Sequence, residues 1–212
     1  MVQPKVNMLK LKNRILFDHN IRQQHQVQII SGSDEAGRGA MAGPIVVASV
    51  ILPLDYENVE IKDSKLINQN QRKLLFDEIK KIALSYAIEI IPASVVDVLN
   101  PKQASIVGMI NSIKKLSISP EISLIDGEKL NDPKINSLQL IKGDNLSQSI
   151  AAASILAKVT RDEIMKDLDQ KHPGYDWAQN KGYVTVDHQE RLKVHGISPE
   201  HRKSYAPVKK YL

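Results

Sequence analysis

Apolar residues gather along this chain in short runs, each closed by glycine, proline or polar residues. Val27–Ile30 leads into Ser31-Gly32-Ser33, and Pro44–Leu52 is a second, strongly β-branched run beyond a glycine-rich loop. The pair predicts two buried strands, a hairpin with a long connection. Pro44 would stand at a strand start, where proline is tolerated. Leu74, Leu75, Ile79 and Ile82 recur at helical spacing within residues 68–83, so a helix is expected there. Ser85–Ile91 reads as a third strand stopped by Pro92. Ser94 and Pro101 each mark a helix start, the second helix carrying Ile106, Ile110, Ile113 and Leu116. Glu121–Ile125 predicts a fourth strand ending at Asp126-Gly127, and Leu138–Ile141 a fifth ending at Gly143-Asp144. Ser147 is placed to cap a long helix from Gln148 to about Leu168, rich in small residues early on. A further helix is expected over Val186–Val194.

This order, β-β-α-β-α-β-β-α with later helices, predicts the α/β class: a mixed five-stranded sheet flanked by helices, with a small C-terminal helical region. Antiparallel pairing of the first two strands would make the sheet mixed. The first 25 or so residues show no clear period and read as a loosely held extension. We therefore divide the chain into an extension of unassigned role (1–26), a main domain (27–170) and a C-terminal region packed on it (171–212).

Composition narrows this picture. A length of 212 residues suits one large domain, or one domain plus an appendage. Apolar residues at 42% permit a sizeable core, and aromatics at 4% make it mainly Ile, Leu, Val and Ala. There is no cysteine, which excludes disulfides, thiolate catalysis and cysteine zinc sites. No apolar run approaches the roughly 20 residues needed to span a bilayer, and the N-terminus lacks a signal-peptide core. A cytoplasmic protein without a membrane partner is expected. Nothing marks an obligate oligomer, so a monomer is expected.

Net charge is +5, unevenly spread. Residues 1–25 carry five basic and one acidic residue, and residues 181–212 seven basic and three acidic. The middle holds 17 basic against 20 acidic. Basic ends around an acidic centre suit an enzyme that grips a polyanion and holds metal ions centrally; scatter for solubility is the plainer explanation.

Asp34-Glu35, Asp126 and Asp144 all fall at predicted strand ends. Converging carboxylates repel one another and cannot all ionise unaided. Hard divalent cations such as Mg²⁺ or Mn²⁺ relieve that repulsion and keep positions open for phosphate and water. Two such ions about 3.5–4 Å apart activate a water and stabilise the leaving oxygen of a phosphodiester. Asp-Gly is also a common turn signal, so Asp126 or Asp144 alone would read as a turn. Gly37 and Gly39 flank Arg38 in the loop that follows Asp34-Glu35. Glycine lets the backbone approach a ligand, amides there can reach a phosphate or a ribose 2′-hydroxyl, and arginine can clamp a phosphate with two bonds. A flexible hairpin loop would look the same.

The stretch SDEAGRGAMAGPIVVASVIL resembles the opening motif of type 2 ribonucleases H (RNase HII). Four further blocks follow in the family's order: Asp63-Ser64-Lys65-Leu66; Leu124-Ile125-Asp126-Gly127; Lys142-Gly143-Asp144 with SQSIAAASILAKVTRD; and Lys181-Gly182-Tyr183 with His201-Arg202. Each is modest, but together they are specific, and they cover about Ile29 to Val208. The resemblance implies an RNase H-like fold and endonucleolytic hydrolysis of the RNA strand in RNA–DNA hybrids. It also implies incision 5′ of single ribonucleotides in duplex DNA, by a two-metal-ion reaction with Mn²⁺ or Mg²⁺ that leaves 5′-phosphate and 3′-hydroxyl ends. Asp34, Glu35, Asp126 and Asp144 match the family's four catalytic metal ligands. Gly37-Arg38-Gly39 matches its 2′-hydroxyl-reading loop, and the arginine there favours this type over the related type 3. Tyr183 matches the tyrosine that stacks on the deoxyribose. Val184 departs from the usual glycine and would stiffen the turn at Tyr183. Met41 departs from the expected proline-leucine and is expected only to pack.

Basic residues complete the expected grip on substrate. Lys158 and Arg161 share a helix face and would meet phosphates, or simply face solvent. Lys65 follows a possible cap at Asp63 and would reach a phosphate near the metals. Arg202 lies in the basic tail. Histidines 172, 188, 195 and 201 are not spaced like a metal site, although His201 could position the tail. Two rivals remain: a different carboxylate nuclease on the same fold, such as a junction resolvase, and a non-catalytic nucleic-acid binding module.

Overall fold

The computed structural model describes residues 5–62 and 64–212, with residues 5–12 and 66 as backbone only. Asp63, the suggested cap before Lys65, lies outside the described residues. The elements run α1 (Lys5–His25), β1 (Ile30–Ala36), β2 (Ile45–Ile51), α2 (Gln69–Ile82), β3 (Ser85–Ile91), α3 (Ala93–Leu99), α4 (Pro101–Lys114), β4 (Ile122–Asp126), β5 (Ser137–Leu140), α5 (Gln148–Lys171), α6 (Trp177–Asn180), α7 (Val186–His195) and α8 (Ala206–Lys209).

The five strands form one sheet in the order β3-β2-β1-β4-β5. β1 pairs antiparallel with β2 and parallel with β4, so the sheet is mixed, as expected. β2 is buried along its whole length. It alternates between two cores, as a strand covered on both faces must. Val46, Ala48 and Val50 face Ala151, Ala152, Ile155 and Leu156 of α5, while Ile45 and Val47 face Met109 and Ile113 of α4. The small residues of α5 have a steric purpose. At Gly32 a Cβ would stand 2.1 Å from the Ser149 carbonyl carbon, so helix and strand touch backbone to backbone.

Three differences from the sequence reading have physical causes. First, β1 begins at Ile30 and takes in the polar run Ser31 to Glu35. Its hydroxyls are satisfied across the sheet: Ser31 bonds Ser123 at 2.9 Å, and Ser33 bonds Ser49 at 2.7 Å. A buried serine is stable when so paired, a tertiary effect that hydropathy does not show. Second, Asp144 is not at a strand end; it lies in a 3-10 turn, Gly143–Asn145, entered through Lys142 in the left-handed region (φ 56°). Third, residues 5–25 are helical, and Arg14, Ile15, Asp18, Ile21 and Arg22 are buried rather than loosely held. The Ser147 cap is in place, its side chain accepting from the Ile150 amide. Among the described residues no helix is long and apolar enough to cross a membrane.

Candidate active site

β1 carries Asp34 and Glu35 near its end, beside the last residue of β4, Asp126; Ser33 registers with Ile125. The Gly143 amide donates to Asp126 Oδ1 at 2.5 Å, which ties the turn bearing Asp144 to that carboxylate. Asp34 and Asp144 are buried, Glu35 and Asp126 half-buried. Asp34 Oδ1 accepts the Glu35 amide at 2.7 Å, and Ser154 on α5 supplies a further hydrogen bond.

Burial, with the charges of Glu35 and Asp126, pushes Asp34 well above the usual carboxylate range. Burial pushes Glu35 up to about 7; Asp126 and Glu128 add to the rise while Arg38 opposes it. Repulsion of this kind is what a divalent cation relieves. Glu35 Oε2 is buried without a hydrogen-bond partner, the state of a hard oxygen ligand short of a cation. The donors thus fit Mg²⁺ or Mn²⁺ in kind. They are not a ready-made cage: among the described residues no three acidic or histidine side chains are gathered closely enough to hold an ion as they stand.

A proton held more tightly in the folded state than in the unfolded one stabilises the fold until it is lost. For Glu35 this stabilisation is full below pH 4.5, and it declines as pH rises to about 7. In metal-depleted buffer, Glu35→Gln should therefore gain stability on the parent across that window and no more above it. Urea melts of both proteins at several pH values check this; a constant difference would contradict it.

The site opens into a cleft of about 440 Å³ lined by Asp34, Glu35, Ala36, the Gly37-Arg38-Gly39 loop, Ser64, Lys65, Ser154, Lys158 and Tyr183. Asp34, Glu35, the glycine loop, Lys65, Lys158 and Tyr183 thus share one cleft, whose lining does not include Asp126 or Asp144. Lys65 is exposed on the 3-10 turn Ser64–Leu66. Arg72 holds that turn by donating to the Ser64 and Ile67 carbonyls at 2.9 and 2.7 Å. Lys158 reaches Asp162 at 2.6 Å on its own helix.

Arg161 and Arg202 are placed differently from the sequence expectation. Both are fully buried, and their guanidinium groups hold backbone carbonyls rather than facing a polyanion. Arg161 donates to the carbonyls of Pro44 (2.9 Å) and Ala42 (3.2 Å), Arg202 to those of Gly43 (2.8 Å) and Arg38 (3.0 Å). Two arginines from distant segments thus grip the loop between β1 and β2. Arg161 also lies 5.3 Å from the Tyr183 ring centre, so Tyr183 stacks on the same clamp. The shared helix face proposed for Lys158 and Arg161 divides here: one lines the cleft, the other lies under the loop.

Glu128 and the pairing of His188 with His201 had little sequence signal. Glu128 is buried, with Arg38 Nη2 2.6 Å from Oε1, so Arg38 bridges it to Glu35. Only its position two residues after Asp126 hinted at this. His188 and His201 form a buried relay. The Ser198 amide donates to His201 Nδ1, which leaves His201 Nε2–H to donate to His188 Nε2 at 3.2 Å. His188 Nε2 also accepts from Trp177 Nε1, so its Nδ1–H donates to the Tyr183 carbonyl at 2.9 Å. Both rings are neutral in this pattern, and burial accordingly pushes His201 down to about 4. Val184 is exposed beside Tyr183, while Met41 packs with Met165, Trp177 and Leu192, as expected.

A mixed five-stranded sheet flanked by helices, with Asp34, Glu35 and a glycine loop at one cleft, has the architecture of the ribonuclease H class. Residues 31–208 match the family model described as Ribonuclease HII. Ribonuclease HII of Mycoplasma capricolum is 51% identical over 93% of this chain and 96% of its own length. Ribonuclease HII of Bacillus cereus is 45% identical over 90% of this chain and 74% of its own. The crystal structure of ribonuclease H2 from Pyrococcus horikoshii superposes with a TM-score of 0.71 at 25% identity, covering 86% of this chain and 96% of that one. The chain belongs to the ribonuclease HII family, and is thereby a metal-dependent endoribonuclease.

Proposed function

We propose that this enzyme hydrolyses the RNA strand of RNA–DNA hybrids and also incises 5′ of single ribonucleotides in duplex DNA, leaving 5′-phosphate and 3′-hydroxyl ends. Asp34, Glu35, Asp126 and Asp144 would hold Mg²⁺ or Mn²⁺ ions. Bound there, such ions supply an activated water and neutralise charge on the scissile phosphate. The rest falls to the chain's own side chains. Asp34, buried and bonded to Ser154, fixes the sheet side of the site. The clamped loop presents the Gly37-Arg38-Gly39 backbone to the sugar. Lys65 and Lys158 offer positive charge to phosphates along the cleft, and Tyr183 closes its far wall against the deoxyribose. Arg161 and Arg202 serve substrate indirectly, by positioning the loop. In domain terms, residues 27–170 form the catalytic unit and 171–212 the region that brings Tyr183 to it. A monomer working in the cytoplasm, in the removal of ribonucleotides from DNA, completes the proposal.

Gly39 carries it. Nothing lies within 4 Å of the place its Cβ would occupy, and its φ is ordinary, so the fold itself has no need of glycine there. The residue is exposed and beside the carboxylates; a glycine that nothing inside requires fits one kept for a ligand outside. With either strand of a hybrid labelled, only the RNA strand should be cut. Gly39→Ala should melt with the parent protein yet raise KM for the hybrid by roughly tenfold, about 1.4 kcal/mol of lost backbone approach. A cut DNA strand, or an unaltered KM, would contradict the proposal.

A further inference from the structure

Helix α1 precedes the residues 31–208 that match the family model, yet it reaches the part of the site that carries Asp144. The buried Arg14 donates from Nε to the Asp144 carbonyl at 3.1 Å. One helical turn later and on the same face, Asp18 Oδ2 accepts both the Ser149 amide, at 2.9 Å, and the Ser149 hydroxyl, at 2.7 Å. The first amides of a helix have no partner within it. Asp18 therefore acts as a second cap on α5 beside Ser147, with its negative charge at the favourable end of the helix dipole. Ile21 packs against Ile30, Ile122, Leu124 and Ile150, which seats α1 across β1, β4 and the start of α5. Arg22 Nε donates to the Gln28 carbonyl at 3.2 Å and holds the lead into β1. Burying a carboxylate is costly, and Asp18 is 4% exposed with its other oxygen unpartnered. That cost falls where α1 meets the α5 start, three residues after the Asp144 turn.

We propose that α1 is a positioning element of the active site: Arg14 and Asp18 fix the Gly143–Asn145 turn and the first turn of α5, and so set the Asp144 carboxylate against those of Asp34, Glu35 and Asp126. This rests on the reading of those four carboxylates as metal ligands. Arg14 holds the Asp144 peptide plane, Asn145 Nδ2 donates to Asp144 Oδ1 at 3.0 Å, and the Gly143 amide holds Asp126. Outer partners of metal ligands commonly set affinity by about 10–100-fold.

The test uses the full chain, Mn²⁺ alone as probe, and calorimetry without substrate. Arg14→Ala and Asp18→Ala should each weaken Mn²⁺ binding by about tenfold and speed amide exchange over residues 143–149. KM for a hybrid should stay at the parent value, and Arg14→Lys should recover part of the affinity. Asp18→Ala removes both Ser149 bonds at a separate residue, so it carries the same expectation should Arg14→Ala not fold. Parent-like Mn²⁺ affinity in the folded variants would overturn this proposal alone. A parent protein that bound no Mn²⁺ would overturn the metal reading and this proposal with it.

Discussion

Asp34→Asn should slow hydrolysis on the order of 10³-fold or more, the scale of one preorganised electrostatic group in an active site, while hybrid binding persists. Asparagine keeps the shape of the side chain and an oxygen for the Glu35 amide and Ser154, so the local structure has little reason to change. What it removes is one negative charge from a buried group that Glu35 and Asp126 already repel. The same change should raise stability in metal-depleted buffer, because the folded protein then holds one fewer buried carboxylate. Loss of activity with gain of stability marks a functional rather than a structural carboxylate. Single-turnover cleavage, a binding titration with labelled hybrid and thermal melts measure the three effects. Cleavage and binding falling together, or stability falling with them, would show that Asp34 mainly supports the fold.

Gly37→Ala should do the opposite kind of damage. Gly37 has φ +90°, a region side chains rarely adopt, and an added Cβ would stand 1.8 Å from Arg161 Nε and 2.5 Å from Cδ. An arginine end is normally flexible, but this one is buried and held by the Ala42 and Pro44 carbonyls. It cannot withdraw without leaving a buried charge unpaired. Backbone strain costs about 1–3 kcal/mol, and each charged hydrogen bond lost costs about 1.5–3 kcal/mol. A destabilisation of about 3 kcal/mol, roughly 6–12 °C in a chain of this size, should accompany loss of cleavage. Gly39→Ala is the control: the same chemical change two residues along, into open space, should leave the melt untouched. Equal melting of the two variants would mean that the arginine clamp does not hold the loop.

The contrast between these glycines also shows what a sequence can carry. Gly37 and Gly39 look alike in a GxG string, and only the packing of Arg161 separates them. β2 was legible because a strand buried on both faces reads as a continuous apolar run; β3, an edge strand with Tyr86 and Ile90 exposed, was legible from its mostly apolar run and the stop at Pro92. Hydropathy points to β1 too early, at Val27–Ile30, because the strand's serines are satisfied by hydroxyls on other strands. The acidic residues stood out as residue types, and their order in motifs resembling a known family grouped them. Their partners did not stand out: Glu128, Arg14 and Asp18 meet the site through tertiary contacts with Arg38, Asp144 and Ser149 that no local spacing encodes. Arg161 and Arg202 were legible as cations near the site. Their burial was not, since a surface arginine and one locked on carbonyls have the same local sequence. The first helix lacked a clear period because its buried face includes Arg14, Asp18 and Arg22 beside Ile15 and Ile21.

The most direct test is a DNA duplex carrying one ribonucleotide, incubated with the protein and Mg²⁺ or Mn²⁺ and analysed for the position and chemistry of the break. A single nick on the 5′ side of the ribonucleotide with 3′-hydroxyl and 5′-phosphate ends is expected, and none in the matched all-DNA duplex. An intact duplex with both metals, or equal cutting of the all-DNA control, would contradict the proposed function.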